Sequence, residues 1–316
     1  MVFVPKAPKV AVFVVASLVF VASVGYLVKH FEWREAFAAL LEANSLRLII
    51  LLSSSHFAYI LVRACRWRSA LQQAHPQGTF FDFYWITAVV VSLSILTPGQ
   101  VGEGLKIELM KRRGLVGRLP GLGAFALERV LDLLAVVGMG ATGLVFSGLA
   151  KRYRGVGTGA AILIILGLIS LYILLLFNPQ GRPSHWLARM RTGSGSPATW
   201  AVMGILTVCS WALVGVSWQI ALFAVGIHLS LPQVLSLISL VTLGTILSFI
   251  PGGLGVSEVL TSAVLTNMGI ASVTAQAGAL ILRAYSVVIV LFGLAHLMGW
   301  LLYNLPSKIW SHGSAS

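Results

Sequence analysis

The sequence predicts an all-α integral membrane protein of about six full transmembrane helices and two Pro/Gly-broken re-entrant hairpins, arranged as an inverted repeat. Three observations predict it. Mean hydropathy is +0.92 and only 10% of residues are charged, against roughly 25% in a soluble domain. Several apolar windows run to roughly 20 residues, enough to cross a bilayer core. Two further apolar runs are cut by proline and glycine, at LTPGQVGEGLK (96–106) and FIPGGLGVSEVL (249–260). Proline and glycine are poor residues for a helix interior, so a break inside a greasy segment needs a physical reason.

Taken in chain order, Lys6 and Lys9 precede an apolar run from Val10 to Val28. A secretory signal has a shorter apolar region of about 7–15 residues, so this run reads as a retained first helix near 9–28. A short amphipathic piece follows at 30–44, then a span at about 46–66 that ends in Arg63, Arg66 and Arg68. The run 81–97 stops at Pro98-Gly99 and gives way to a polar stretch to about 120, with Lys106, Lys111, Arg112, Arg113 and Arg118. A span at about 121–148 leads through KRYR (151–154) to another at about 158–177. The segment 178–198, rich in Pro, Gly, Ser and Arg, reads as a flexible linker. A span at about 199–226 follows, and the run 231–250 stops at Pro251-Gly252-Gly253. A shorter run, 254–268, precedes the last span at about 271–303.

These segments repeat. Pro98-Gly99-x-Val101-Gly102 matches Pro251-Gly252-x-Leu254-Gly255 at an offset of 153 residues. The same shift carries 46–66 onto 199–219, 81–97 onto 234–250 and 121–148 onto 274–301, and sets Arg129 one residue from Arg283. Residues 1–150 therefore read as a first membrane repeat with its hairpin near 81–113. Residues 151–316 read as a second with its hairpin near 231–268, the two forming one structural unit. Three crossings plus one hairpin in each half invert the second half relative to the first. Eight full crossings, the alternative, would leave the repeats parallel.

Charge gives an orientation. With a cytoplasmic N-terminus, the groups Arg63/Arg66/Arg68, Lys111/Arg112/Arg113 and Arg182/Arg189/Arg191 fall inside, while KRYR falls outside against the positive-inside tendency. The net charge of +13 fits basic loops and anionic headgroups; no basic stripe interleaved with aromatics points to nucleic acid. Cys65 and Cys209 match no disulfide or metal spacing and are expected to pack. Trp67, Trp200 and Trp310, near span ends, read as interface anchors.

Lipid cannot satisfy the backbone groups freed at a break, so such breaks sit in protein or beside a water-filled cavity. A matched pair of Gly/Pro breaks points to a ligand site in membrane folds, and half-helix N-termini suit phosphate or carboxylate. The break residues are Pro98, Gly99 and Gly102 in the first half and Pro251, Gly252, Gly253 and Gly255 in the second. Glu128, Arg129 and Asp132 lie inside an apolar span, where charge costs at least ~2.5–3.5 kcal/mol per residue unless it meets a partner or cavity. Arg129 and Asp132 are three apart and can pair; Glu128 and Asp132 share a helix face. Arg283 lies in the last span with no local acid and needs a partner from another helix, with Asp132, Glu128 and Glu258 as candidates, or from a ligand. Glu103 and Lys106 read either as headgroup ligands or as an exposed i,i+3 pair. His56 and His296 read as interhelical hydrogen-bond partners.

Enzyme motifs are thin. Gly121-x-Gly123-x-x-Ala126 fits a loose dinucleotide fingerprint but follows no strand. GGLGVSE lacks the Gly-Lys-Ser/Thr of a P-loop, and no HExxH, GxSxG or Cys/His metal cluster occurs. No catalytic residue, cofactor or metal site is assigned.

TPGQVGEGLK (97–106), ALERVLDLL (126–134) and IPGGLGVSE (250–258) followed by Arg283 resemble the membrane region of lysylphosphatidylglycerol synthases, a family that includes stand-alone flippase-like proteins. The resemblance covers nearly the whole chain. It implies movement of lipids between leaflets, with aminoacylated phosphatidylglycerol, hopanoid and polyprenyl-glycolipid pathways among the family's associations. By that likeness Pro98, Gly102 and Glu103 match the first Pro…Gly-Glu motif. Glu128, Arg129 and Asp132 match the Glu-Arg…Asp motif, and Pro251, Gly252, Gly253, Gly255 and Glu258 match the Pro-Gly-Gly…Gly…Glu motif. The basic residue expected after Glu103 is Lys106, which keeps charge and loses bidentate geometry. The aminoacyltransferase domain of the full synthases has no counterpart here, so lysyl transfer is not expected. The resemblance thus implies a lipid transporter of a prokaryotic plasma membrane, its cavity lined by Glu103, Lys106, Glu128, Arg129, Asp132, Glu258 and Arg283. Its partners would be membrane lipids and a lipid- or glycolipid-biosynthetic enzyme. Two alternatives stand: a non-transporting lipid-binding accessory or scaffold, and a membrane-embedded transferase.

Overall fold

The computed structural model describes residues 7–41, 45–72, 76–147 and 197–304. The expected span at 158–177, KRYR, Arg182, Arg189, Arg191, Trp310 and nearly all of the expected linker lie outside the described residues. Those described form helices and no strand. They are α1 (Ala7–His30), α2 (Trp33–Leu41), α3 (Ser45–Ala70), α4 (Phe80–Ser94), α5 (Leu105–Arg112) and α6 (Arg118–Phe146), then α7 (Pro197–Phe223), α8 (Leu231–Ser248), α9 (Val256–Asn267) and α10 (Ser272–Asn304). Short 3-10 turns at Pro98–Gly104 and Pro251–Gly253 form the two breaks. Among the described residues, α3, α6, α7, α8 and α10 are long and apolar enough to cross a membrane, and α4 is a shorter apolar helix. The protein is an all-α membrane protein.

Local chemistry sets the boundaries. Asp82 caps α4 by accepting from the Thr79 amide and hydroxyl, both at 2.9 Å. Gln233 does the same for Ser230 at the start of α8, again at 2.9 Å, with Pro232 in the first turn where no amide donor is needed. At the first break, Gly99 and Gln100 take left-handed conformations (φ 54° and 57°). Gly102 donates its amide to the Thr97 hydroxyl at 2.9 Å. A Cβ at Gly102 would lie 2.8 Å from that same side chain, so glycine is required. The second break passes through positive φ at Phe249, Gly252, Gly253 and Gly255. The polar stretch read after Pro98 is in fact this turn followed by α5, which buries Lys106 and Met110.

The helices on either side of each break pack against each other, α4 on α5 and α8 on α9, and the two breaks touch. Among the extensive interhelical contacts are α3 with α7, α6 with α8 and α4 with α10. A shift of 153 residues carries α3 to α7, α4 to α8 and α6 to α10, so the last two pairings exchange. Gly140 and Gly293 stand 153 residues apart, and each admits its partner helix. A Cβ at Gly140 would lie 3.0 Å from Ser239 of α8, and one at Gly293 would lie 2.7 Å from Ser92 of α4. Small residues on facing helices let backbones approach and gain dispersion contact where lipid offers no hydrophobic drive. Ser239 adds a hydrogen bond to the Val136 carbonyl at 2.5 Å.

Two expectations are corrected. Cys65 and Cys209 are exposed on α3 and α7 rather than packed in the core. Trp67 is wholly buried rather than an interface anchor, because α3 runs on to Ala70 and its last turns face inward. Trp200 is exposed, as an anchor would be. Gly121 of the loose fingerprint is a packing glycine: a Cβ there would meet Ile107 of α5 at 3.1 Å.

The closest approach to backbone is at Gly143, where a Cβ would fall 2.5 Å from the Ser236 amide nitrogen and 2.7 Å from the Pro232 carbonyl. Backbone cannot step aside as a side chain does. Gly143→Leu is expected to cost about 1–3 kcal/mol or more through overpacking, lowering the thermal midpoint in detergent. Gly138→Ala, whose Cβ meets nothing within 4 Å, is the control and should not lower it.

Candidate functional site

Three elements converge at the end of α3. That helix supplies Arg63 and Arg66, three residues apart on one face. The first break and α5 supply Glu103 and Lys106; α6 supplies Glu128, Arg129 and Asp132. Arg63 donates Nη2 to Glu103 at 2.5 Å and Nη1 to Asp132 at 3.1 Å. Arg66 donates Nε and Nη2 to Glu128 at 3.1 and 2.7 Å, Nη1 and Nη2 to Asp132 at 2.7 and 3.0 Å, and Nη1 to Thr207 of α7 at 2.9 Å. Lys106 bonds Glu128, lies 3.7 Å from Glu103 and sits over the Trp67 ring at 4.1 Å. Arg129 donates Nη2 to Glu103 and to Asp132, each at 2.9 Å. Trp211 of α7 donates to Asp132 at 3.3 Å.

Arg66, Glu128 and Lys106 are 0–1% exposed. Glu103 and Lys106 are therefore not an exposed pair but part of the core. Isolated, each such charge would be costly in this setting. Together they satisfy one another, since every carboxylate contacts three cations: Glu103 meets Arg63, Lys106 and Arg129, Glu128 meets Arg63, Arg66 and Lys106, and Asp132 meets Arg63, Arg66 and Arg129. Arg63 and Arg66, which the sequence places at the basic end of a span, are buried members of this network. They are buried because their partners arrive from elements 40 to 69 residues further along the chain. A local sequence window cannot see them. The available signal was two arginines at i,i+3 beside Trp67.

The second break has its own arginine. Arg283 of α10 donates Nε to Glu258, Nη1 to the Gly252 carbonyl at 2.9 Å, and Nη2 to Ser257 at 2.6 Å and Gly253 at 3.4 Å. Of the three acids considered, Glu258 is the partner. The acid-to-arginine separation is 26 residues for Glu103–Arg129 and 25 for Glu258–Arg283. His56 bonds Ser92 at 3.0 Å and His296 bonds Tyr84 at 2.7 Å, linking α3 and α10 to α4 as expected of interhelical histidines.

Both groups border one cavity of about 410 Å³. Arg63, Glu103, Arg129 and Asp132 line one side, and Ser257 and Arg283 another. Gly99 and Gln100 of the first break line it too, as do Tyr59, Trp211, Trp218 and Tyr285, which sequence reasoning did not single out. Glu128, Lys106 and Glu258 are not among the lining residues and stand behind those that are. A smaller space of about 140 Å³ lies between the breaks, bounded by Gly99, Gln100, Gly252 and Gly253. A separate depression of about 590 Å³ near the start of α3, lined by Leu48, Leu51, Phe223 and Ile227, contains none of the predicted residues.

The buried charge network and the two breaks are built from the three sequence motifs together with Arg63 and Arg66. The family model for the lysylphosphatidylglycerol synthase TM region matches residues 10–293. The chain belongs to that family. Membership gives it a role connected with membrane lipids. No curated protein matches it. Both breaks, the buried network and Arg283 fall within the residues matched to the synthase TM region.

Removing one member of a buried ion network strands the others. Arg66→Leu leaves Glu128 and Asp132 short of a partner and is expected to cost about 3–5 kcal/mol. Arg66→Lys, which keeps charge but loses the planar fork, should fall between. Chemical unfolding of purified protein in detergent checks both, and an unchanged Arg66→Leu midpoint would show that the network does not hold the fold.

Proposed function

We propose that this protein moves a lipid across the bilayer by holding its polar headgroup in the 410 Å³ cavity while the hydrocarbon stays in the membrane. One observation carries the reading. Two Pro/Gly breaks, one from each half of the chain, touch each other, and a charged cavity among membrane-length helices is lined by the first break and by Ser257 and Arg283, which hold the second. Unpaired backbone at membrane depth is tolerated only where protein or a water-filled cavity covers it, and paired breaks are the usual builders of transport sites. On this reading the breaks are re-entrant hairpins of two inverted halves; the exchanging contacts of α6 with α8 and α4 with α10 support the repeat itself.

The cargo is an anionic or aminoacylated phospholipid, a hopanoid or a polyprenyl-phosphate-linked lipid, delivered by a lipid- or glycolipid-biosynthetic enzyme. The work is binding and movement rather than bond chemistry. The setting is a prokaryotic plasma membrane with the N-terminus in the cytoplasm.

Reconstitution into liposomes carrying labelled phosphatidylglycerol, lysyl-phosphatidylglycerol or a polyprenyl phosphate tests the reading. Wild-type protein is expected to speed transbilayer movement of at least one of them. Arg129→Ala should abolish that movement while the protein stays monodisperse, since Glu103 and Asp132 keep their bonds to Arg63. Folded wild-type protein that moves none of these lipids, yet co-purifies with one, would replace transport with an accessory lipid-binding role. A chemically altered lipid would replace it with a transferase.

A further inference from the structure

The arginines on the cavity wall are unequally committed. A guanidinium has five N–H donors and no acceptor. Arg283 directs all three of its nitrogens at Glu258, Ser257 and the carbonyls of the second break. It works as a staple on that break. Arg129 commits one nitrogen, Nη2. Its Nε is buried and has no hydrogen-bond partner among the described residues, although the side chain is 33% exposed and lines the cavity. Arg63 lines the same cavity, is 4% exposed as a side chain, and has a buried Nε that is likewise without a partner among the described residues.

Buried polar groups in folded proteins are nearly always paired, and one left open calls for an explanation. Both guanidinium groups stand on the cavity wall with donors uncommitted, and Arg129 is the more exposed of the two. The charge balance agrees. Arg63, Arg66, Lys106 and Arg129 face Glu103, Glu128 and Asp132, four cations to three carboxylates. The network is one negative charge short. The carboxylates are already shared among these cations, so a cationic group would find little to accept it.

We infer that Arg129, backed by Arg63, is an anion subsite for one singly charged oxyanion, the phosphodiester of a lipid headgroup, and that Arg283 supplies shape rather than binding donors. This deepens the lipid reading above and rests on it. A phosphodiester brings the one charge the network lacks, where a phosphomonoester dianion would overshoot it. The neighbouring wall of Leu133, Val136, Trp211 and Trp218 suits the less polar glycerol or ester portion that follows the phosphate. Free phosphate shares the recognised chemistry, and the experiment separates the two.

Calorimetric titration of the purified full chain in dodecyl maltoside uses three probes: dihexanoyl phosphatidylglycerol, dihexanoyl glycerol and inorganic phosphate. The diester is expected to bind, and the neutral glyceride to bind at least about tenfold more weakly, as for loss of a charge-assisted hydrogen bond. Arg129→Gln should weaken the diester by roughly tenfold or more. Arg68→Gln, an exposed cation on the same helix as Arg63, should leave it unchanged. If Arg129→Gln does not remain monodisperse, Arg129→Lys serves, and a loss of roughly threefold or more is expected because the fork is gone. Competition by inorganic phosphate that depends on Arg129 means the phosphate group alone is recognised; its failure to compete means the ester is required, and both support the subsite. Diester affinity unmoved by either Arg129 variant, or equal affinity for the neutral glyceride, overturns it. Arg129-dependent binding without transbilayer movement removes the transport reading and leaves the subsite. Movement with Arg129-independent binding removes the subsite and leaves transport.

Discussion

The grip of Arg66 on Glu128 and Asp132 is the constraint on which the rest of the molecule depends. One guanidinium with no exposed surface bonds two carboxylates of α6 and a hydroxyl of α7. Glu128 then fixes Lys106, and with it α5 and the position of the first break. Asp132 fixes Arg63, Arg129 and Trp211, which face the cavity. The energetics run one way. Assembling these charges in an apolar setting gains little over a packed hydrocarbon core, but removing a fully buried member such as Arg66 leaves the others stranded. Such a network specifies arrangement more than it adds stability, and here the arrangement is that of a cavity wall.

Around this polar knot the helices meet through small residues. Glycine at 140, 143 and 293 lets α6 reach α8 and α10 reach α4, with serines opposite. The two breaks touch each other within this frame. Packing, charge and backbone conformation thus act on the same few residues from different directions.

Much of this was legible in the chain. Apolar windows located α3, α6, α7 and α10 to within a few residues, because a membrane helix needs a long run without charge. Pro98 and Pro251 marked both breaks, because proline cannot donate the helical hydrogen bond. The pairing of Arg129 with Asp132 followed from helical spacing alone. What escaped depended on the third dimension. Arg63 and Arg66 look like the basic end of a span until Glu103, Glu128 and Asp132 fold onto them. Trp67 looks like an interface anchor until Lys106 lies across its ring. Tyr59, Trp211 and Trp218 have no sequence signature, since aromatic residues in apolar helices are common and only the cavity distinguishes these.

The two breaks are held by unequal means. The first is tied through Glu103 to Arg63 and Arg129 and through Lys106 to Glu128, so loosening it disturbs several buried charges at once. The second is tied by Arg283, whose donors reach two backbone carbonyls, a serine and one acid. Fluctuation at the second break is the cheaper, so its backbone amides would exchange with solvent sooner than those of the first. Two halves that share a plan of helices thus differ in how firmly each holds its own break.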